Sequence, residues 1–405
     1  MRDFVLYNAR IIDPGARVLR GYVRVKDGAI VAVAEGAPDD SVAGARIDAQ
    51  GLLLTPGLVD VHTHGMHTYL YERSVDDLRD AAAALGRYGT TTVVPTIVPS
   101  INAACFDTLR ALGDALPEID TAHVPGLHLE GPFVAITGAA CETRDGDMAL
   151  LEELLAATGG RTRVMSIAPE VPGILPVIER LVEHGVTPFI THTRATVAET
   201  VAAIDAGARH ATHFYDVFPM PEETDPGVRP VGVVETILAD PRATCDFIAD
   251  GIHVDPMAIR AAVAAKGAKG VCLITDASFG AGMPPGVYDT PWGYPVKVKP
   301  GNAPRIADAK HPMHGALAGS ALTMNRGMRN LLDWIDLPVE QVWAMGTRRP
   351  AAVIEAEKKG RIAPGYDADL VLWRDDDLRP TKTWVGGRVV YDEARDPEAV
   401  EGSTV

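Results

Sequence analysis

The sequence predicts an α/β protein, a (β/α)₈ (TIM) barrel with a small β-sandwich domain built from both chain termini. Three observations predict it. Both ends of the chain read as short strands broken by turns, the middle alternates apolar β-type runs with alanine-rich helical stretches, and those runs number eight. Eight strands, each followed by a helix, are what a closed barrel requires.

Taken in order, "FVLYNARIID", "GYVRVKDGAIVAVAE" and "ARIDAQGLLLTP" read as short strands, and Asp27-Gly28 marks a hairpin. The barrel strands follow as "LVDVHTH", "TTVVPT", "VPGLHLEG", "RVMSIAPE", "TPFITHT", "HATHFY", "TCDFIADG" and "VCLITDA". Between them run helices such as "VDDLRDAAAALGRYG", "LLEELLAATGG", "LPVIERLVEHG", "TVAETVAAIDAG" and "DPMAIRAAVAAKG", several ending at the glycine that commonly closes a helix. After the eighth strand comes a long Gly/Pro-rich segment ending in "HPMHGALAGS", placed where such a barrel meets its ligand. The tail "GRIAPGYDADLVLWRDDDLRPTKTWVGGRVVYDE" returns to strands punctuated by Pro364-Gly365 and Gly386-Gly387. The small domain is therefore placed at 1–54 and 346–405, and the barrel at 55–345. That span of about 290 residues compares with about 250 typical of the fold.

A chain of 405 residues, 47% hydrophobic and 23% charged, can build a large core without disulfide staples. Its formal net charge of -16 argues against nucleic acid and anionic membrane, which need clusters of Lys and Arg. No apolar run is long enough to span a bilayer and no signal core opens the chain, so a cytoplasmic address is expected. Cys105, Cys141, Cys245 and Cys272 show no CxxC spacing. They read as reduced, buried or idle thiols, none of them a nucleophile.

In a (β/α)₈ barrel the chemistry sits at the C-terminal ends of the strands. The first run, inside "PGLVDVHTHG", ends with His62 and His64, two apart and so on one face. The third ends with Glu130, the fifth with His192, the sixth with His213 and the eighth with Asp276, while "ADGIH" puts Asp250 and His253 at the rim of the seventh. Imidazoles and carboxylates are the donors that Zn²⁺ and similar divalent ions accept. One such residue is ordinary; six at matching strand ends are hard to explain as solvated surface.

The motifs "PGLVDVHTHG", "GLHLEGPF", "SIAPE", "THFYDVFP", "IADGIHV", "LITDA" and "GSALTM", in this order, resemble the amidohydrolase superfamily and within it the N-acetylglucosamine-6-phosphate deacetylases. The resemblance implies that Glu130, His192 and His213 bind a main metal. His62 and His64 would bind a second, bridged through Glu130, and Asp276 would be the general acid/base as well as a metal neighbour. It further implies one or two divalent ions, zinc foremost, a small-molecule N-acyl substrate and a homodimer. His253 resembles a substrate-contacting histidine, and Thr323 and Met324 a packing motif at the site's edge. His128, two before Glu130, either orients a ligand or packs. Cyclic amidases of the superfamily commonly use a lysine from the fourth strand, and "RVMSIAPE" has none. Base deaminases place a glutamate where this chain has Ala195.

The substrate pocket departs from that pattern. After the sixth strand the chain reads "THFYDVFPMPEETDPG", so Asp216, beside Tyr215, replaces a sugar-contacting asparagine and Thr224 stands where a phosphate-binding arginine is expected. Glu222, Glu223 and Asp225 surround that point, and Arg229 is the nearby candidate to compensate. Like charges about 4 Å apart cost on the order of 4 kcal/mol at an effective dielectric of about 20. In "ITGAACE", Ala140 takes the place of a carbonyl-polarising histidine. A deacylase of a non-phosphorylated N-acyl amino sugar or amine therefore stands as one alternative. A non-catalytic barrel serving as a binding module is the other.

Overall fold

A computed structural model describes residues 3–138, 141–374 and 376–396. Eight parallel strands pair in sequence order: Leu58–Thr63, Thr90–Ile97, Leu127–Leu129, Thr162–Ile167, Thr187–Ile190, His210–Ala211, Thr244–Ile248 and Val271–Ile274. Each overlaps a run read from the sequence, with Thr90–Ile97 and Thr162–Ile167 starting one residue earlier than read. Their near-continuous apolar character suits strands covered on both faces, and the first is buried at every position. The first and eighth strands meet where Asp276 N donates to His62 O at 2.9 Å and Thr275 Oγ1 to Asp60 Oδ2 at 2.5 Å.

Helices cover the outside. The capping boxes and caps that start them are local: Ser74 accepts from Asp77 N, and Thr196 and Glu199 cap each other before Val197–Ala206. Three helices not singled out in the sequence, Ala103–Ala115, Val233–Ala239 and Met324–Trp334, join them. Among the described residues, no helix is long and apolar enough to cross a membrane.

Strands from both chain ends share one sheet, ordered Arg388–Asp392, Pro380–Val385, Leu370–Trp373, Leu53–Pro56, Phe4–Asp13, Arg17–Lys26 and Ala29–Glu35, with Ala45–Asp48 also on Phe4–Asp13. The hairpin signals hold in detail. Asp27 and Gly28 have φ of 51° and 80°, and Gly386 and Gly387 have 52° and 72°, the left-handed pair that a two-residue hairpin demands. Phe4, Leu6, Ile11, Val23 and Trp384 fill the core of this sheet.

The Gly/Pro-rich segment after the eighth strand is more than a loop. It folds into a three-stranded sheet, Gly286–Asp289, Pro295–Val298 and Arg305–Ile306, whose Val296 and Ile306 pack with Leu70 and Phe279. Thr323 and Met324 are buried at the start of the next helix, and Trp343 is wholly buried against Trp373, rings 5.6 Å apart.

Candidate active site

The chain turns sharply just past the fifth, sixth and eighth strands. His192, His213 and Asp276 have φ of 49°, 35° and 48°, a region that side-chain-bearing residues seldom occupy. Such strain concentrates at functional sites, and here it turns three side chains inward over the barrel mouth. At the first strand the rigidity has another source. His64 N and Gly65 N both donate to Ala277 O, at 2.7 and 3.1 Å, clamping the histidine pair to the loop after Asp276.

Six residues predicted as metal neighbours are brought together. His62 Nε2 lies 3.6 Å from Glu130 Oε1 and 3.2 Å from Asp276 Oδ1. His64 Nε2 is 3.3 Å from Glu130 Oε2 and 3.2 Å from Asp276 Oδ1. His192 Nε2 and His213 Nε2 stand 3.2 and 3.1 Å from Glu130 Oε1. All six side chains are buried or nearly so.

The opposite ring nitrogens show what the inner ones present. His192 Nδ1 donates to Ile136 O at 2.8 Å and His213 Nδ1 to Asp216 O at 3.2 Å. Thr212 Oγ1 donates to Asp246 Oδ1 at 3.1 Å, so it accepts from His62 Nδ1 at 3.3 Å. As neutral rings, His62, His192 and His213 therefore turn the lone pair of Nε2 toward carboxylate oxygens. His62 Nε2 is buried with no hydrogen-bond partner. Acceptors facing acceptors at this distance require a proton or a cation between them, and a divalent ion fits the donor set.

Protonation tells the same story. Burial opposes a charge on His64, but Asp276 and Glu130 outweigh it and hold its pKa well above the usual value. Burial likewise opposes His213, yet Glu130 pushes it up to about 10. Burial would raise Glu130 and Asp276; the facing imidazoles, His62 first, hold both well below the carboxylate range. The cluster is built for positive charge at its centre.

Beneath it lies a layer of buried polar groups. Asp246, fully enclosed, accepts from His213 N at 2.6 Å and pairs with His210 Nε2 at 2.9 Å. His128 lies edge-on to His62, ring centroids 4.8 Å apart, with Nε2 at 2.9 Å from Ser166 Oγ and Nδ1 at 3.2 Å from Val61 O. Burial, then His62, keep its pKa well below the usual value, so it is a neutral support for the ligand ring.

The substrate-side residues divide. His253 is at the rim, with Nδ1 held by Asp250 Oδ2 at 2.7 Å; burial opposes its charge, but Asp250, then Asp276 and Asp216, raise its pKa. Asp216 contributes its backbone carbonyl to His213, whereas Tyr215 is partly exposed and stacks on Phe247. Arg229 is exposed on the acidic loop. Ala140 lies outside the described residues. Cys141, idle in the sequence reading, is close instead, with Sγ 3.9 Å from His192 Nε2. No spacing motif pointed to it.

An α/β barrel with a histidine–carboxylate cluster at its mouth defines the class: residues 53–390 match the amidohydrolase family, and the chain belongs to it. Among its relatives, the N-acetylglucosamine-6-phosphate deacetylase of Lysinibacillus sphaericus is 32% identical over 96% of this chain and 97% of its own. The N-acetylgalactosamine-6-phosphate deacetylase of Escherichia coli O157:H7 is 30% identical over 91% of this chain and 94% of its own. A structure of N-acetyl-D-glucosamine-6-phosphate deacetylase from Mycobacterium smegmatis, in complex with N-acetyl-D-glucosamine-6-phosphate, superposes with a TM-score of 0.83 at 29% identity, covering 96% of this chain and 100% of that one.

Proposed function

We propose that the chain hydrolyses the N-acetyl amide of an amino sugar, releasing acetate and a free amine. The observation that carries this reading is the convergence of four imidazole Nε2 atoms on two carboxylates at the barrel mouth. The relatives' deacetylase activity narrows it to N-acetyl compounds.

In this reading Glu130, His192 and His213 would hold the main divalent ion, and His62 and His64, together with Glu130, would hold a second. When bound, the ion supplies an activated water and a Lewis acid for the amide carbonyl. Asp276 faces the same centre and takes the proton from the attacking water. It then returns that proton to the leaving nitrogen, so that the C–N bond breaks with a neutral amine departing. His253, fixed by Asp250, orients the sugar from the rim. Zinc as the metal, a homodimer and a cytoplasmic address complete the proposal; four free thiols suit a reducing compartment.

The complete donor set favours catalysis over a non-catalytic barrel. The test is acetate release by the zinc-loaded enzyme from N-acetylglucosamine and N-acetylgalactosamine, with and without a 6-phosphate. Activity should vanish on chelation and return with Zn²⁺; fully metallated protein inert on all four compounds would sink the reading.

A further inference from the structure

We infer that Cys141 is a thiolate ligand to the divalent ion that the reading above assigns to Glu130 and His192, on which this inference rests. Ligand atoms of Glu130, Cys141 and His192 all lie within 4.8 Å of one another. The Sγ is 3.9 Å from His192 Nε2 and 3.6 Å from Glu130 O, and the residue is 4% exposed. Donor atoms this close to one another can share one cation.

Described residues on either side of Cys141 are tied down by hydrogen bonds. Ala135 N and Ile136 N both donate to His192 O, at 3.2 and 3.0 Å, and His192 Nδ1 returns a bond to Ile136 O. Cys141 N donates to Thr137 O at 2.9 Å, and on its far side Glu142 accepts from Ile101 N at 2.8 Å while Arg144 N donates to Pro132 O at 2.9 Å. Described backbone on both flanks of Cys141 is thus hydrogen-bonded to neighbouring elements of the barrel mouth.

Ligation exchanges one bond for another: the Sγ–H bond breaks, the proton leaves to solvent, and an Sγ–metal bond forms. Metal charge deprotonates a coordinating thiol outright. A sulfur donor beside two imidazoles and a carboxylate selects zinc over magnesium, calcium or manganese. The remaining cysteines sit elsewhere: Cys105 on the outer helix Ala103–Ala115, Cys245 against Gly270 O, and Cys272 within the eighth strand.

The test uses Co²⁺ alone on metal-stripped full-length protein. The wild-type cobalt protein should show an intense near-ultraviolet thiolate-to-cobalt charge-transfer band, lost in Cys141→Ser at equal cobalt stoichiometry. X-ray absorption of the zinc-loaded wild type should find one sulfur at about 2.3 Å, a readout independent of whether the variant folds. Bound metal without either sulfur signature, or a band that survives in Cys141→Ser, overturns the inference while leaving the hydrolase reading intact. Failure to bind metal at all would overturn both.

Discussion

Asp276 carries the sharpest prediction at the scale of single residues. Its Oδ1 lies 3.2 Å from the Nε2 of both His62 and His64, within reach of any water held there. Asp276→Asn keeps an oxygen in place but removes the group that shuttles the proton. General acid–base catalysis contributes about 10²–10⁴-fold, so kcat should fall by about that factor while elemental analysis finds unchanged metal. Undiminished turnover would strip Asp276 of the role. The six residues around the centre were legible because a barrel presents its chemistry at strand ends, and the first, third, fifth, sixth and eighth strands each end in a ligating residue type. Cys141 and the Thr212–Asp246 support were not. A hydrogen bond such as His62 to Thr212, 150 residues apart in the chain, leaves no local pattern to read.

The scale of elements brings in backbone geometry. Gly138 has φ of +54°, and a Cβ there would meet His192 Cε1 at 2.4 Å. Gly138→Ala must therefore strain the backbone and displace a ligand ring. We expect a stability loss of about 1 kcal/mol or more from the left-handed conformation alone, with reduced metal occupancy measured by titration; full occupancy would show that the ring does not depend on this contact. A second element-level feature ties the barrel's exit to the terminal sheet. Lys359, 8% exposed, pairs with Asp369 at 2.7 Å and Asp367 at 2.9 Å, and Asp369 also accepts from Gly386 N. Burial alone would lower its pKa, but Asp369 first and then Asp367 raise it. The native state thus keeps this proton to higher pH than the unfolded chain. The pair's stabilisation is complete below about pH 10 and is lost as pH rises through the raised value. Lys359→Met should cost about 3–5 kcal/mol at neutral pH, the usual loss when a buried pair is broken. It should also flatten the alkaline fall of Tm; an unchanged alkaline limb would refute the assignment. Long strands and hairpins were legible from alternation and from Asp27-Gly28 and Gly386-Gly387. The small sheet of Gly286–Asp289, Pro295–Val298 and Arg305–Ile306 was not, because strands of two to four residues among prolines are too short to show a period.

Over the whole molecule, a net charge of -16 sets the field that any ligand must cross. The loop with Glu222, Glu223 and Asp225 adds negative charge near the exit of the sixth strand, with Arg229 as the opposing cation, and all four are exposed. Exposed charges act through solvent, so their effect on a substrate phosphate is a modest repulsion that salt removes rather than a fixed barrier. This gives a test of substrate charge that does not depend on the catalytic centre. The ratio of kcat/KM for N-acetylglucosamine 6-phosphate over N-acetylglucosamine should rise several-fold as ionic strength goes from about 0.01 M to about 0.15 M, where the screening length drops from about 30 Å to about 8 Å. Replacing Glu222 and Glu223 together by Gln should raise the same ratio at low salt and blunt its salt dependence. A ratio that instead falls with salt would mean that cations dominate the approach, with Arg229 the first to suspect. The acidic loop would then be a solvated flank rather than a determinant of which amino sugar is taken.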